Sequence, residues 1–129
     1  MENNTNGKLL LVEDDKELRE TLEEIFEIHD FSFDVAKNVT EAKQCVKLEE
    51  RPYTLVLSDY LMPGESGLDF FKFLKQEVGY TEIPFYILTA RTEDEVRSKC
   101  VEAGVTDFFE KPFKMQTLVD LVNSHLMSK

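Results

Sequence analysis

Tryptophan is absent from the 129 residues, cysteine occurs twice, proline four times and glycine five times. Two cysteines cannot build the disulfide framework of a small secreted domain. Cys45 and Cys100 each fall within an apolar helical pattern, where free buried thiols are expected. With so little glycine and proline, and no internal repeat, no low-complexity tract or interdomain linker can be placed. No apolar run approaches the roughly 20 residues of a membrane span. The opening residues 1–7 are polar, with neither a basic n-region nor an apolar h-region, so they do not read as a signal peptide. They are expected to form a mobile tail, with residues 8–129 as one domain in the cytoplasm. Basic side chains are also scarce: 15 Lys and Arg stand against 26 Asp and Glu, a formal charge of −11. Such a surface repels phosphate backbones, so direct nucleic-acid binding is not expected. What remains is 42% apolar, enough for one sizeable core.

Apolar runs with strand character alternate with helical stripes, joined by short connections. Lys8 to Val12 is a continuous run, followed by Glu13, Asp14 and Asp15. Leu18, Leu22, Ile25, Phe26 and His29 then recur at three and four residues, as on one face of an amphipathic helix. Phe31 to Ala36 reads as a second strand, and Ala42, Cys45 and Val46, with Glu49 at the margin, as a second helix capped by Asn38 or Thr40. The run from Thr54 ends in Asp59 and a Pro63-Gly64 turn. Leu68, Phe71, Leu74 and Val78 mark the third helix. Pro84 to Thr89 is the fourth strand. Thr92-Glu93-Asp94-Glu95 is a capping-box sequence for a helix that turns Val96, Cys100 and Val101 inward and stops at Gly104. Val105 to Glu110 is the fifth strand, and Met115, Leu118, Val119, Val122 and Leu126 line the fifth helix.

Five β-α units with right-handed crossovers predict a doubly wound α/β fold with a parallel sheet. The second strand, carrying Ser32 and Asp34, reads as an edge. This favours the flavodoxin-like order 2-1-3-4-5. In that order the ends of strands 1, 3, 4 and 5 converge, bringing Glu13-Asp14-Asp15, Asp59, Thr89 and Lys111 to one rim. Carboxylates gathered there cannot all stay ionised without compensation. A hard divalent cation supplies it: Mg²⁺ takes a few carboxylate or carbonyl oxygens plus waters. Three negative charges (Glu13, Asp14, Asp59) would then balance three positive ones from Mg²⁺ and Lys111. An aspartate oxygen beside the metal is competent to form an acyl phosphate, with Lys111 and the Thr89 hydroxyl stabilising charge. Asp15 is expected as a helix N-terminal charge.

Leu11-Val12-Glu13-Asp14-Asp15, Leu57-Ser58-Asp59-Tyr60-Leu61-Met62-Pro63-Gly64 with Gly67, Ile87-Leu88-Thr89-Ala90, and Gly104 with Asp107 to Phe113 stand in order along the chain. In this combination the chain resembles the receiver domain of bacterial two-component response regulators over nearly its whole length. The resemblance implies that Asp59 is the phospho-acceptor. It also implies that Glu13, Asp14, Asp59 and the Leu61 carbonyl hold Mg²⁺, for which Mn²⁺ could substitute. By the same likeness Thr89 is the switch hydroxyl, Lys111 the phosphate-binding lysine, Phe108 the switch aromatic, and the Lys111-Pro112 bond is cis. Leu61 and Arg91 take the positions that tune dephosphorylation. A histidine kinase or histidine phosphotransfer protein would be the phosphoryl source. The output would be a protein partner or an output domain, reached through the face of helix four, strand five and helix five. Dimerising members resemble one another in a basic, Arg-containing helix five. Here no Arg follows Arg97, so a monomer is expected. The simplest reading is a stand-alone receiver, although one excised from a longer regulator would look the same.

Two other readings are weaker. A phosphatase of the haloacid-dehalogenase type also uses a strand-end Asp and Mg²⁺, but needs a second Asp two residues on, where Leu61 stands. A flavodoxin-like cofactor binder would need a Gly- or Ser/Thr-rich phosphate loop after the first strand. Acids stand there instead and would repel a nucleotide.

Overall fold

The computed structural model describes residues 7–90 and 94–127. Five strands and five helices alternate: β1 (Lys8–Val12), α1 (Lys16–Ile28), β2 (Ser32–Ala36), α2 (Val39–Leu48), β3 (Leu55–Asp59), α3 (Gly67–Leu74), β4 (Phe85–Thr89), α4 (Asp94–Ala103), β5 (Asp107–Glu110) and α5 (Met115–Leu126). The strands form one parallel sheet in the expected order β2-β1-β3-β4-β5. Register places Leu11 opposite Leu57, Asp59 opposite Leu88, and Thr89 opposite Glu110.

Strand alternation divides the core in two. Leu10, Val12, Val56, Phe85 and Ile87 face one side, where α2, α3 and α4 deliver Ala42, Val46, Phe70, Phe71, Leu74 and Cys100. Leu9, Leu11, Leu55, Leu57 and Leu88 face the other, against Leu22 and Phe26 of α1 and Leu118, Val119 and Val122 of α5. Each fully buried Leu or Phe contributes about 1.5–3 kcal/mol of transfer free energy, which drives the two helical layers onto the sheet. Phe71 and Phe85 meet edge-on at 4.9 Å between ring centroids. Among the described residues no helix is long and apolar enough to cross a membrane. Both cysteines are free, Cys100 buried and Cys45 half-buried.

Local signals explain the helix starts. Asn38 caps α2 by accepting from the Glu41 amide at 2.8 Å, and Ser66 and Asp69 form a reciprocal capping box at α3. Asp94 and Glu95 open the described part of α4; Thr92 and Glu93 of the expected capping box lie outside the described residues. Gly104 ends α4 with φ +103°, a left-handed stop that glycine adopts without Cβ strain.

Three expectations need correction. Val78 lies beyond the end of α3 and is 96% exposed, because the chain turns after Leu74 and reverses through Gly79. Val101 belongs to α4 but is 61% exposed: only Cys100 of that helix is fully enclosed, so the inward stripe is narrower than its apolar residues suggest. Gly7, grouped by composition with the tail, donates its amide to the Leu126 carbonyl at 2.9 Å and so closes onto α5.

Candidate functional site

The carboxyl ends of β1, β3, β4 and β5 form one rim, and the acids expected there do meet. Asp59 is the last residue of β3 and only 7% exposed. Its Oδ1 accepts from the Tyr60 amide at 2.9 Å, while its Oδ2 lies 3.4 Å from Lys111 Nζ. Glu13, just past β1, is completely buried. Its Oε1 lies 3.2 Å from the same ammonium, and its Oε2 accepts from the Asp15 amide at 3.1 Å. Asp14 is more open than either. One carboxylate oxygen from each of Glu13, Asp14 and Asp59 falls within 4.8 Å of the other two.

Three carboxylates beside one ammonium leave an excess of negative charge in a poorly hydrated place. Burial and the neighbouring Glu13 charge therefore push the Asp59 carboxyl up to about 8, with Lys111 opposing and hydrogen bonds involving Asp14 and Glu13 adding to the rise. The donor set is all oxygen and mostly anionic, with one side open through Asp14. It fits a hard divalent cation that keeps part of its water shell, and it would suit a soft metal badly.

The backbone around Asp59 is closely held. Ser58 Oγ donates to the Asp59 carbonyl at 3.0 Å. Gly67 begins α3 against that same carbonyl, its amide bound to the Tyr60 carbonyl at 2.9 Å, and a Cβ on Gly67 would collide with the Asp59 oxygen. Thr89, 4% exposed, ends β4 one position beyond the partner of Asp59, and its carbonyl accepts from the Lys111 amide at 2.8 Å. The Lys111-Pro112 peptide is cis. Phe108 pairs with Ile87, so it shares a sheet face with Thr89. It is half-buried, and the Arg97 guanidinium of α4 lies 4.7 Å from its ring centre. Leu61, in the loop after β3, is 66% exposed. Arg91 lies outside the described residues. Asp15 caps α1, its Oδ2 accepting from the Leu18 amide at 2.8 Å.

Sequence reasoning gave no role to Ser58, to Gly67 against the Asp59 carbonyl, or to Arg19. The guanidinium of Arg19 donates to the carbonyls of Glu13, at 3.0 Å, and Asp14, at 3.3 Å. An arginine one turn into a helix carries no signal that its target is the preceding loop.

Known proteins place the chain. The family model described as the response regulator receiver domain matches residues 9–123. The phosphate regulon transcriptional regulatory protein PhoB of Klebsiella pneumoniae is 38% identical over 112 residues, covering 87% of this chain and 48% of that protein. The CpxR homolog of Haemophilus influenzae is 39% identical over 120 residues, covering 93% and 50%. The chain thus spans about half the length of these relatives. Among solved structures, the receiver domain of a signal transduction histidine kinase from Syntrophus aciditrophicus superposes with a TM-score of 0.82 at 30% identity, covering 94% of this chain and 90% of that one. The non-phosphorylated HemR receiver domain of Leptospira biflexa gives 0.80 at 28%, covering 95% of each. The fold, the order of its strands and the family match agree: this chain belongs to the response regulator receiver domain family.

Proposed function

We propose that the chain is a phosphorylation-switched signalling receiver that accepts a phosphoryl group on Asp59 from a histidine kinase or a histidine phosphotransfer protein. The observation that carries this reading is the meeting of Asp59 with Glu13, Asp14 and Lys111 at the strand-end rim. Glu13, Asp14, Asp59 and the Leu61 carbonyl are the groups that would hold Mg²⁺, with Mn²⁺ as a substitute. When bound, the metal would supply the positive charge that keeps Asp59 ionised and screens the phosphoryl oxygens.

In the transfer step an Asp59 oxygen attacks phosphorus. The donor's P–N bond breaks with its electron pair going to the imidazole, and an acyl phosphate forms on the chain. Buried Glu13 holds Lys111 in place, and the Lys111 ammonium offsets the charge of the arriving group. The Tyr60 amide fixes one Asp59 oxygen, leaving the other to react. No separate substrate is turned over; the chain assists only its own phosphorylation and dephosphorylation.

The switch follows from neighbours of the same rim. Drawing the Thr89 hydroxyl toward a phosphoryl group vacates space on the face it shares with Phe108, and Phe108 turns into it. Its departure from Arg97 changes the surface of α4, β5 and α5, which we assign as the protein-binding output face. Amide hydrogen exchange with and without beryllofluoride tests this reading: changes should concentrate between Thr89 and Phe113. Changes confined to α1 and α2, or a strong dimer on activation by sedimentation, would overturn the assignment of the face and of the monomer. A second reading, a receiver within a longer regulator, is favoured by the match to about half the length of transcriptional regulators. There the same face would bear on an output domain.

A further inference from the structure

Between the end of β1 and the start of α1, the chain must present two acids to the rim without a strand or a helix to hold them. The Glu13 amide still belongs to the sheet, donating to the Ala36 carbonyl at 3.0 Å. The next three carbonyls, of Glu13, Asp14 and Asp15, lie beyond the ladder, and one residue serves all three. Arg19 takes the first two through Nη1, at 3.0 and 3.3 Å, and the third through its backbone amide at 2.9 Å. The loop is closed from inside as well, the Asp15 amide donating to Glu13 Oε2 and the Asp15 carboxylate capping Leu18.

A guanidinium bound to two successive carbonyls fixes the orientation of the peptide between them. That peptide joins the Cα of Glu13 to the Cα of Asp14, so its orientation decides whether both carboxylates point into one pocket. Lys111 fixes Glu13 from the pocket side, whereas the more open Asp14 has its backbone held from behind by Arg19. We infer that Arg19 is a positioning residue for the metal-binding acids, acting through the main chain of Glu13 and Asp14 and touching neither the metal nor the phosphoryl group. This inference rests on the reading of the rim as a cation site. It adds that the geometry of the site is set in part by a side chain of α1 outside the family's acidic cluster. The cationic head also sits against an acidic loop, so it offsets charge there that the pocket would otherwise carry unrelieved.

The test is titration of the whole chain with Mg²⁺ alone by calorimetry, for wild type, Arg19→Ala, Arg19→Lys and Asp14→Ala. Circular dichroism and urea melts in EDTA confirm that each is folded. Groups that orient metal ligands from behind typically change affinity 10- to 100-fold when removed, so Arg19→Ala should weaken Mg²⁺ binding by about tenfold. Lysine keeps the charge and the donors, but on a flexible, strongly hydrated ammonium in place of a planar guanidinium, so Arg19→Lys should recover only part of the loss. If Arg19→Ala proves too unstable, Arg19→Lys still decides, through its Mg²⁺ affinity relative to wild type. A purely structural role predicts lower stability with unchanged affinity, and affinities within twofold of wild type in both variants would overturn the inference. Wild type that binds no Mg²⁺ would overturn the reading of the site, and this inference with it. Wild type that binds while only Asp14→Ala fails to do so would leave that reading standing and remove the role of Arg19.

Discussion

Replacing Asp59 by asparagine should stabilise the metal-free protein, and by an amount that grows with pH. The Asp59 carboxyl titrates near 8 in the folded chain, against an ordinary value of 3.8, because burial and Glu13 disfavour its charge. A folded-state value above the unfolded one means that the folded chain holds this proton more tightly. The contribution of Asp59 to stability therefore falls as pH rises from about 4 to about 8, by about 1.4 kcal/mol per pH unit. At pH 5 the cost is roughly 1–2 kcal/mol, and at pH 8 its ceiling is on the order of 5 kcal/mol. Water reaching the pocket past Asp14 relaxes part of that field, so a gap of about 2–3 kcal/mol at pH 8 is the expected reading. For a domain of this size that is a rise in Tm of roughly 8–12 °C. Asparagine keeps the shape of the side chain and can still accept from the Tyr60 amide. The assay is urea denaturation in EDTA at pH 5, 6.5 and 8 for both proteins. Asp59→Asn less stable than wild type at pH 8, or a gap that does not widen with pH, would refute the account of the pocket as a site of unrelieved negative charge.

Other outcomes follow from the same site and from the roles proposed for its residues. Asp14→Ala should leave the metal-free fold intact and abolish the thermal stabilisation that Mg²⁺ gives the wild type, since binding to the folded state is what raises Tm; an undiminished Mg²⁺ shift in melting scans would contradict the ligand role. Gly67→Ala should cost about 1–3 kcal/mol in urea melts, because its methyl would press on the Asp59 carbonyl, and unchanged stability would mean that α3 yields freely. Leu61→Asn combined with Arg91→Glu should shorten the life of the phospho-protein, followed by its decay over time. The exposed Leu61 side chain can obstruct an attacking water but cannot orient it, and decay no faster than wild type would remove that steric account.

The fold was legible because its signals are local and repeated. Continuous runs such as Leu9 to Val12 and Leu55 to Leu57 announced strands covered on both faces, and helical stripes between them required crossovers. The edge position of β2 could be read from Ser32 and Asp34. Errors arose where a pattern continued past the structure that used it. Val78 keeps helical spacing with Leu74, yet Gly79 turns the chain, and spacing alone does not say where a helix stops. Val101 is apolar on a helix that buries only Cys100 fully, which depends on how α4 sits on the sheet. Phe70 falls outside the spacing of Leu68, Phe71 and Leu74, yet it is completely buried between Phe73 and Phe85. In the site, the acids were legible because strand ends must converge in this topology. Arg19, Ser58 and Gly67 were not, because each acts on a main-chain carbonyl, and a sequence carries no mark of which carbonyls lack partners.

The central claim is that Asp59 receives a phosphoryl group with help from a cation held by its acidic neighbours. Intact-mass spectrometry after incubation with acetyl phosphate tests it most directly, in three samples: wild type with Mg²⁺, wild type with EDTA, and Asp59→Asn with Mg²⁺. The expected result is a single added phosphoryl in the first sample and none in the other two. Equal labelling of Asp59→Asn would contradict the assignment of the acceptor, and equal labelling in EDTA would contradict the role given to the cation.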